Sequence, residues 1–352
     1  DQRSGQAPPP EDQRAGGHLH GVLGHAQLDE RAVEGQQAEV ITHVEIGRHG
    51  VQDQVEGALE LLERLTVTGG VVLRGPQTQP VLHLLQRLAE HRDLGAHVNV
   101  LHVRSDPKDT IPLLGEGMSV SMIEDMIQIT EKEGSDRAAQ GRQVFDELVG
   151  QLSLEVATEP GGSGPTAAWS EEIGRDDEVT ARRGRLSDLI VLGRPTKTSD
   201  VSSTLTLNAA LFDSGRPVLV APPGGEGHNF SGHIGISWNG SAQSARAVGS
   251  ALGLIAGAGK VTVLTAASDQ TSAARGPELA AYLGWHGIQP DARTFTANGQ
   301  SIGAALLADC VESGVEMLVM GAYTHSRMRQ LILGGVTRHV LAEATIPLFM
   351  AH

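Results

Sequence analysis

From about residue 96 onward, short uninterrupted apolar runs alternate with longer stretches in which small and apolar residues recur at helical spacing. Val98-Asn99-Val100-Leu101-His102-Val103, Asp188-Leu189-Ile190-Val191-Leu192-Gly193 and Pro217-Val218-Leu219-Val220 read as strands in the first part. Ile234-Gly235-Ile236-Ser237-Trp238, Val261-Thr262-Val263-Leu264-Thr265-Ala266, Glu316-Met317-Leu318-Val319-Met320-Gly321 and Pro347-Leu348-Phe349-Met350 read the same way in the second. A run that stays apolar on both alternating faces belongs inside a parallel sheet covered on both sides. Helical spacing predicts helices over 242–255, 276–284, 301–313 and 336–344, with Ser241 capping the first, and a further strand lies over 291–296. The second part therefore reads βαβαβαβαβ, a doubly wound open sheet with right-handed crossovers.

The first part repeats that design incompletely. It has a long helical region over 111–150 and a helix and strand over 207–220, but no legible opening strand and helix just before Val98. Pro222-Pro223-Gly224-Gly225-Glu226-Gly227 reads as a linker. The expected organisation is an aberrant segment over 1–95, a degenerate copy over 96–222, a linker over 223–231 and an intact copy over 232–352. The fold class is α/β, two doubly wound open parallel sheets with the first copy incomplete.

Composition sets the first ninety-five residues apart: they contain no Phe, Trp, Tyr, Lys, Met, Cys or Asn. Aromatic side chains supply much of a core's buried area, so this composition suits a disordered or helical extension, or a gene read in the wrong frame, better than a globular domain. Residues 55–65 and 81–88 are its amphipathic pieces, and His18, His20 and His25 lack the carboxylate or Cys that would complete a zinc pattern.

A formal net charge of −15 argues against a general affinity for nucleic acid or an anionic membrane. No apolar run is long enough to span a bilayer, and residues 1–14 are polar and Pro-rich without a signal-peptide core, so a soluble cytoplasmic protein is expected. Cys310 is the only cysteine, which excludes an intrachain disulfide, and its apolar helical setting gives it a packing role.

Three segments of the second part carry a resemblance. They are Ile234-Gly235-Ile236-Ser237-Trp238-Asn239-Gly240-Ser241 with the Ala-rich helix after it, Val261 to Leu264, and Val319-Met320-Gly321-Ala322-Tyr323-Thr324 followed by Leu333-Gly334-Gly335-Val336-Thr337. Together they resemble the universal stress protein family, whose architecture is shared with the adenine-nucleotide alpha-hydrolase-like proteins. Nucleotide-binding members of that family carry Gly, two residues, Gly, nine residues, then Gly followed by Ser or Thr; here Gly321 and Gly334 hold the outer positions, Thr324 replaces the middle Gly, and Gly335 replaces the Ser or Thr. In the first part Gly193-Arg194-Pro195 begins the pattern, but residues 196–207 supply no second glycine pair.

The resemblance implies a stress-response factor that binds ATP, with Mg2+, or a related adenine nucleotide in its second part. Ser237, Trp238 and Asn239 would line the base and ribose side, with Asn239 where binding members carry Asp. Thr265 would border the base. Gly321, Thr324, Gly334, Gly335, Val336 and Thr337 would hold the phosphates. The family's closing strands often pair across a dimer, so a homodimer or an intrachain pseudo-dimer through 218–220 and 348–350 is expected.

Physical chemistry supports the same location independently. Ligands of open parallel sheets sit at the carboxyl ends of the strands, where the strand order reverses. Glycines ahead of a helix let peptide N–H groups approach an anion, without a basic patch. Against this, the same glycines serve equally to shape tight turns.

No catalytic constellation stands out. His325, Ser326 and Arg327 are adjacent on one loop and lack a third orienting group; Arg327 or Arg329 would at most approach phosphate. Gly257-Ala258-Gly259-Lys260 lacks the Ser or Thr of a P-loop and precedes a strand, and no G-x-S-x-G elbow occurs. Any ATP hydrolysis would be slow. The rival reading is an interaction protein on the same fold, in which Thr324 and Asn239 mark loss of nucleotide binding; an adenylating enzyme is a more distant third.

Overall fold

The structure is a computed structural model; it describes residues 41–46, 70–72, 96–106, 119–159, 165–196, 201–223, 232–267, 272–323 and 335–352. The described residues all fall within one compact unit. The pieces 55–65 and 81–88, the three histidines His18, His20 and His25, and the loop bearing Thr324 to Gly334 lie outside the described residues.

The second part forms β8 (His233–Ser237), α4 (Ala242–Ser250), α5 (Leu252–Ala256), β9 (Lys260–Ala266), α6 (Ser272–Gly284), β10 (Asp291–Phe295), α7 (Ile302–Ser313), β11 (Met317–Gly321), α8 (Val336–Glu343) and β12 (Leu348–Ala351). Its strands lie in the order β10-β9-β8-β11-β12, all parallel. That is a doubly wound sheet whose direction of winding reverses between β8 and β11. Ser241 caps α4 by accepting from Ser244 N at 3.2 Å, and Ser301 caps α7 by accepting from Ala304 N at 3.1 Å. The expected helix over 242–255 is broken at Ala251 into α4 and α5, and α6 begins four residues before the expected Gly276, running through Pro277.

The first part forms β3 (Ala96–Arg104), α1 (Val120–Leu152), β4 (Glu155–Val156), β5 (Thr166–Ile173), α2 (Asp176–Gly184), β6 (Leu189–Gly193), α3 (Val201–Asp213) and β7 (Val218–Ala221). Between β3 and β6 lies the slot that β8 fills in the second part. Two strands from the first ninety-five residues sit there: β1 (Ile41–Ile46), antiparallel to both neighbours, and β2 (Gly70–Val72), parallel to both. Among the described residues the first part has no counterpart of α4, so the copy is incomplete.

The sheets of the two halves join edge to edge. β12 pairs antiparallel with β7, Leu348 opposite Val220, Phe349 opposite Leu219 and Met350 opposite Val218, to give a continuous sheet. Side chains alternate through this junction into two cores. Leu219, Ala221, Phe349 and Ala351 join Phe145 and Leu148 of α1, Ala247 and Val248 of α4, Ile255 of α5 and Leu279 and Leu283 of α6 on one face. Val218, Val220, Leu348 and Met350 join Val179 of α2, Leu207 and Leu211 of α3, Leu306 and Cys310 of α7 and Val340 of α8 on the other. Each face thus carries helices of both halves over one sheet, and Cys310 is buried there, its thiol pushed up to about 12 by burial.

At the amino-terminal edge of this sheet His233 is buried. Its Nε2 meets Thr262 Oγ1 at 2.8 Å, and its backbone N–H donates to Glu316 Oε2 at 2.9 Å. Burial holds its pKa below the ordinary imidazole value, with Lys260 acting the same way; hydrogen bonds with the backbone of Ser313 and Gly314 and the charge of Glu316 oppose the shift. A histidine that takes up a proton less readily folded than unfolded contributes stability above its unfolded pKa, about 6.5, and that stability is lost as pH falls through the folded value. The urea midpoint will therefore drop between about pH 7.5 and about pH 5, and His233→Gln will flatten that drop.

Candidate functional site

In open sheets of this kind ligands sit beside the carboxyl ends of the strands at the reversal, which here falls between β8 and β11. Ser237 ends β8 opposite Met320 and Leu264. Trp238 follows; its N–H donates to Leu264 O at 2.9 Å and its ring packs on the core beneath α4 to α6. The indole Nε1 is buried and has no hydrogen-bond partner among the described residues. Asn239 is exposed at the mouth, but its Oδ1 accepts from Ser241 N at 3.1 Å. The amide NH2 remains to face a ligand. Gly240 turns the chain into α4 at φ +74°, a left-handed conformation that suits glycine.

Gly321 ends β11 beside this turn, and its position has a packing cause. A Cβ there would lie 2.5 Å from Ser244 N and 2.7 Å from the carbonyl carbon of Gln243, both in the first turn of α4. The close approach expected of a phosphate is made at Gly321 by the α4 backbone. Thr265 is likewise covered. It is 2 % exposed, and a Cβ on Gly276 of α6 would stand 3.2 Å from its Oγ1, so it lies beneath α6 and away from the mouth.

The other wall is the start of α8. Gly335 is its N-cap at φ −79°, ψ 164°, with no side-chain hydrogen bond to the first turn. Among the described residues, a Cβ on Gly335 would meet nothing within 4 Å. The leading N–H groups of an α-helix have no partner within it and carry the positive end of its dipole. At Val336 and Thr337 these groups lie at the start of α8, behind Gly335. Thr337 is buried, and its Oγ1 accepts from Tyr323 N at 3.2 Å, which ties α8 to the end of β11.

Four residues at or behind the crevice carried no sequence signal. Arg275 of α6 donates from Nη1 to Asn239 O at 3.3 Å and brings a cation to the β8–α4 turn. Tyr323 adopts φ +49°, uncommon for a residue with a Cβ, and lays its ring 5.1 Å from that of Phe212 in α3. Burial pushes its phenol pKa up, against the charge of Arg338. Phe212 also meets the His352 ring edge-on at 4.7 Å, and His352 Nδ1 donates to Ala322 O at 2.9 Å. Each is specified by a neighbour distant in sequence, so local spacing could not reveal it.

In the first half, a shallow cleft lined by Gly193, Arg194, Pro195, Ser203 and Thr206 marks the corresponding strand end. Among the described residues no cluster of three or more His, Cys, Asp or Glu is arranged to hold a metal ion, and no helix is long and apolar enough to cross a membrane.

No family model matches the chain, and no curated protein matches it in sequence. Solved structures do match its chain trace. A universal stress protein from Archaeoglobus fulgidus DSM 4304 is 16 % identical, the match covering 64 % of this chain and 81 % of that one at a TM-score of 0.49. A protein of unknown function from Pseudomonas aeruginosa PAO1 is 11 % identical over 61 % of this chain and 77 % of that one, with a TM-score of 0.40. A universal stress protein solved in complex with cAMP is 19 % identical over 34 % of this chain and 96 % of that one, with a TM-score of 0.28. The fold itself, doubly wound α/β with its reversal between β8 and β11, rests on the strand order above.

Proposed function

We propose that the second half binds an adenine nucleotide, ATP or a related one, in the crevice between β8 and α8, and that the protein acts as a binding factor in a stress response. The observation that carries this reading is the open amino terminus of α8. Among the described residues nothing stands within 4 Å of a Cβ on Gly335, the N-cap glycine supplies no side-chain cap, and the helix follows the strand that flanks the reversal of the sheet. On this reading Val336 and Thr337 offer peptide N–H groups to the phosphates. Arg275 adds a cation, the Asn239 amide stands toward the base and ribose, and Trp238 backs them from the core. Magnesium would be carried mainly by the phosphates, as is usual for a cation that dehydrates reluctantly. Ser237 and Gly321 shape the walls, and Thr265 supports them from beneath α6.

Gly335→Asp sets a carboxylate against the phosphates. It should weaken ATP binding at least about tenfold, about 1.4 kcal/mol, while leaving the thermal midpoint without nucleotide nearly unchanged. Isothermal titration of the full chain with ATP and magnesium measures both affinities. Equal affinity in the variant would place the phosphates elsewhere.

The packing of Gly321 against α4 and of Thr265 under α6 favours a second reading, an interaction protein that has lost the nucleotide. Wild-type protein that purifies without nucleotide and gains no thermal stability in millimolar ATP would select it.

A further inference from the structure

The far end of α8 is held by the other half of the chain. Arg194 directly follows β6, and its Nη1 donates to Ala342 O at 2.7 Å, Ala344 O at 2.9 Å and Leu341 O at 3.4 Å. The last carbonyls of a helix lack partners within it and carry the negative end of its dipole. α8 has no basic residue of its own in its last turn, so a cation from the first half does what a local one would do elsewhere. At the near end, Thr337 accepts from Tyr323 N, and the Tyr323 ring rests on Phe212 of α3. His352 closes the same cluster, between Phe212 and Ala322 O. Both ends of α8 are therefore anchored, directly or through one residue, in the half that lacks its own glycine pair.

We infer that the first half positions the nucleotide site of the second: Arg194 fixes α8 along its axis, so that the N–H groups after Gly335 stay aimed into the crevice. This rests on the nucleotide reading above for its ligand and on the observed hydrogen bonds for its geometry. Arg194 is a positioning residue, about a helix length from any phosphate, and acts through α8. It also stands where the first half would begin its own phosphate loop, after Gly193. One residue thus marks both the lost loop and the grip on the partner half.

The test uses the full chain and ATP with magnesium as the probe, with Arg194→Ala and Arg194→Lys beside the wild type. Titration calorimetry reads affinity, and hydrogen exchange without nucleotide reads the His339 and Ala344 amides, which donate within α8, against the Ala305 amide of α7. Arg194→Ala should bind ATP about tenfold more weakly and exchange faster at the α8 amides alone, and the retained cation of Arg194→Lys should restore most of the affinity. Should the alanine variant fail to fold, the lysine variant still reports, with a loss of about threefold and the same selective exchange. Wild-type affinity and exchange in every folded variant would overturn the inference. Wild-type protein that binds no ATP would defeat the nucleotide reading and this positioning role with it, while selective exchange at α8 would still show Arg194 as a structural clamp.

Discussion

Alanine at Phe349 will destabilise the whole sheet by about 3–5 kcal/mol, the range for a buried phenylalanine cut back in a tight core. Phe349 is 2 % exposed and stands opposite Leu219 across the junction of the two halves. Its core includes α1 residues of the first half and α4 to α6 residues of the second, so the cavity opens in packing that both halves share. Denaturant unfolding followed through Trp169, Trp238 and Trp285 should shift to a lower midpoint as one transition. Phe349→Leu, which keeps most of the volume, should lose less than half as much. Two separate transitions in the wild type would show that the halves fold independently and that the junction is weaker than its burial implies.

Gly321→Ala should cost about 2–3 kcal/mol, as overpacking against an unyielding neighbour does. The added methyl would meet the backbone of Gln243 and Ser244, and backbone atoms in a helical turn cannot rotate aside as a side-chain tip can. Relief requires α4 to move off β11. That movement would drag the Asn239 to Ser241 turn, so any nucleotide affinity should fall along with stability. Gly335→Ala is the matched control: nothing among the described residues stands near its Cβ position, and its φ of −79° suits any residue, so a loss under about 1 kcal/mol is expected from the weaker cap alone. Thermal melts of the two variants decide the matter. Similar midpoints would mean that α4 is seated more loosely than the distances suggest.

Strands buried on both faces were the most legible part of the chain. Ile234 to Ser237, Val261 to Ala266 and Met317 to Gly321 announce themselves as continuous apolar runs, and Ser241 and Ser301 announce the helices they cap. β5 was missed because only its first residues are buried, and Trp169-Ser170-Glu171-Glu172 reads as a polar surface segment. α2 was missed because Asp176-Asp177-Glu178 and Arg182-Arg183 leave only a narrow apolar stripe. At the site, the glycines were visible and their causes were not. The sequence shows that Gly321 lacks a side chain but cannot show that α4, rather than a ligand, fills the space. Arg194 illustrates the limit most sharply, since its partners lie about one hundred and fifty positions away.

The antiparallel pairing of β7 with β12 has a bearing on how the chain behaves if it is cut. A strand at the border of a sheet presents a row of unmet peptide groups, an invitation to any similar strand in solution. Here each half hides that border against the other. Severing the polypeptide between them would release two fragments, each with one raw, apolar margin seeking a replacement. The covalent link thus makes an encounter between two molecules into an event within one, at an effective concentration no dilution can lower.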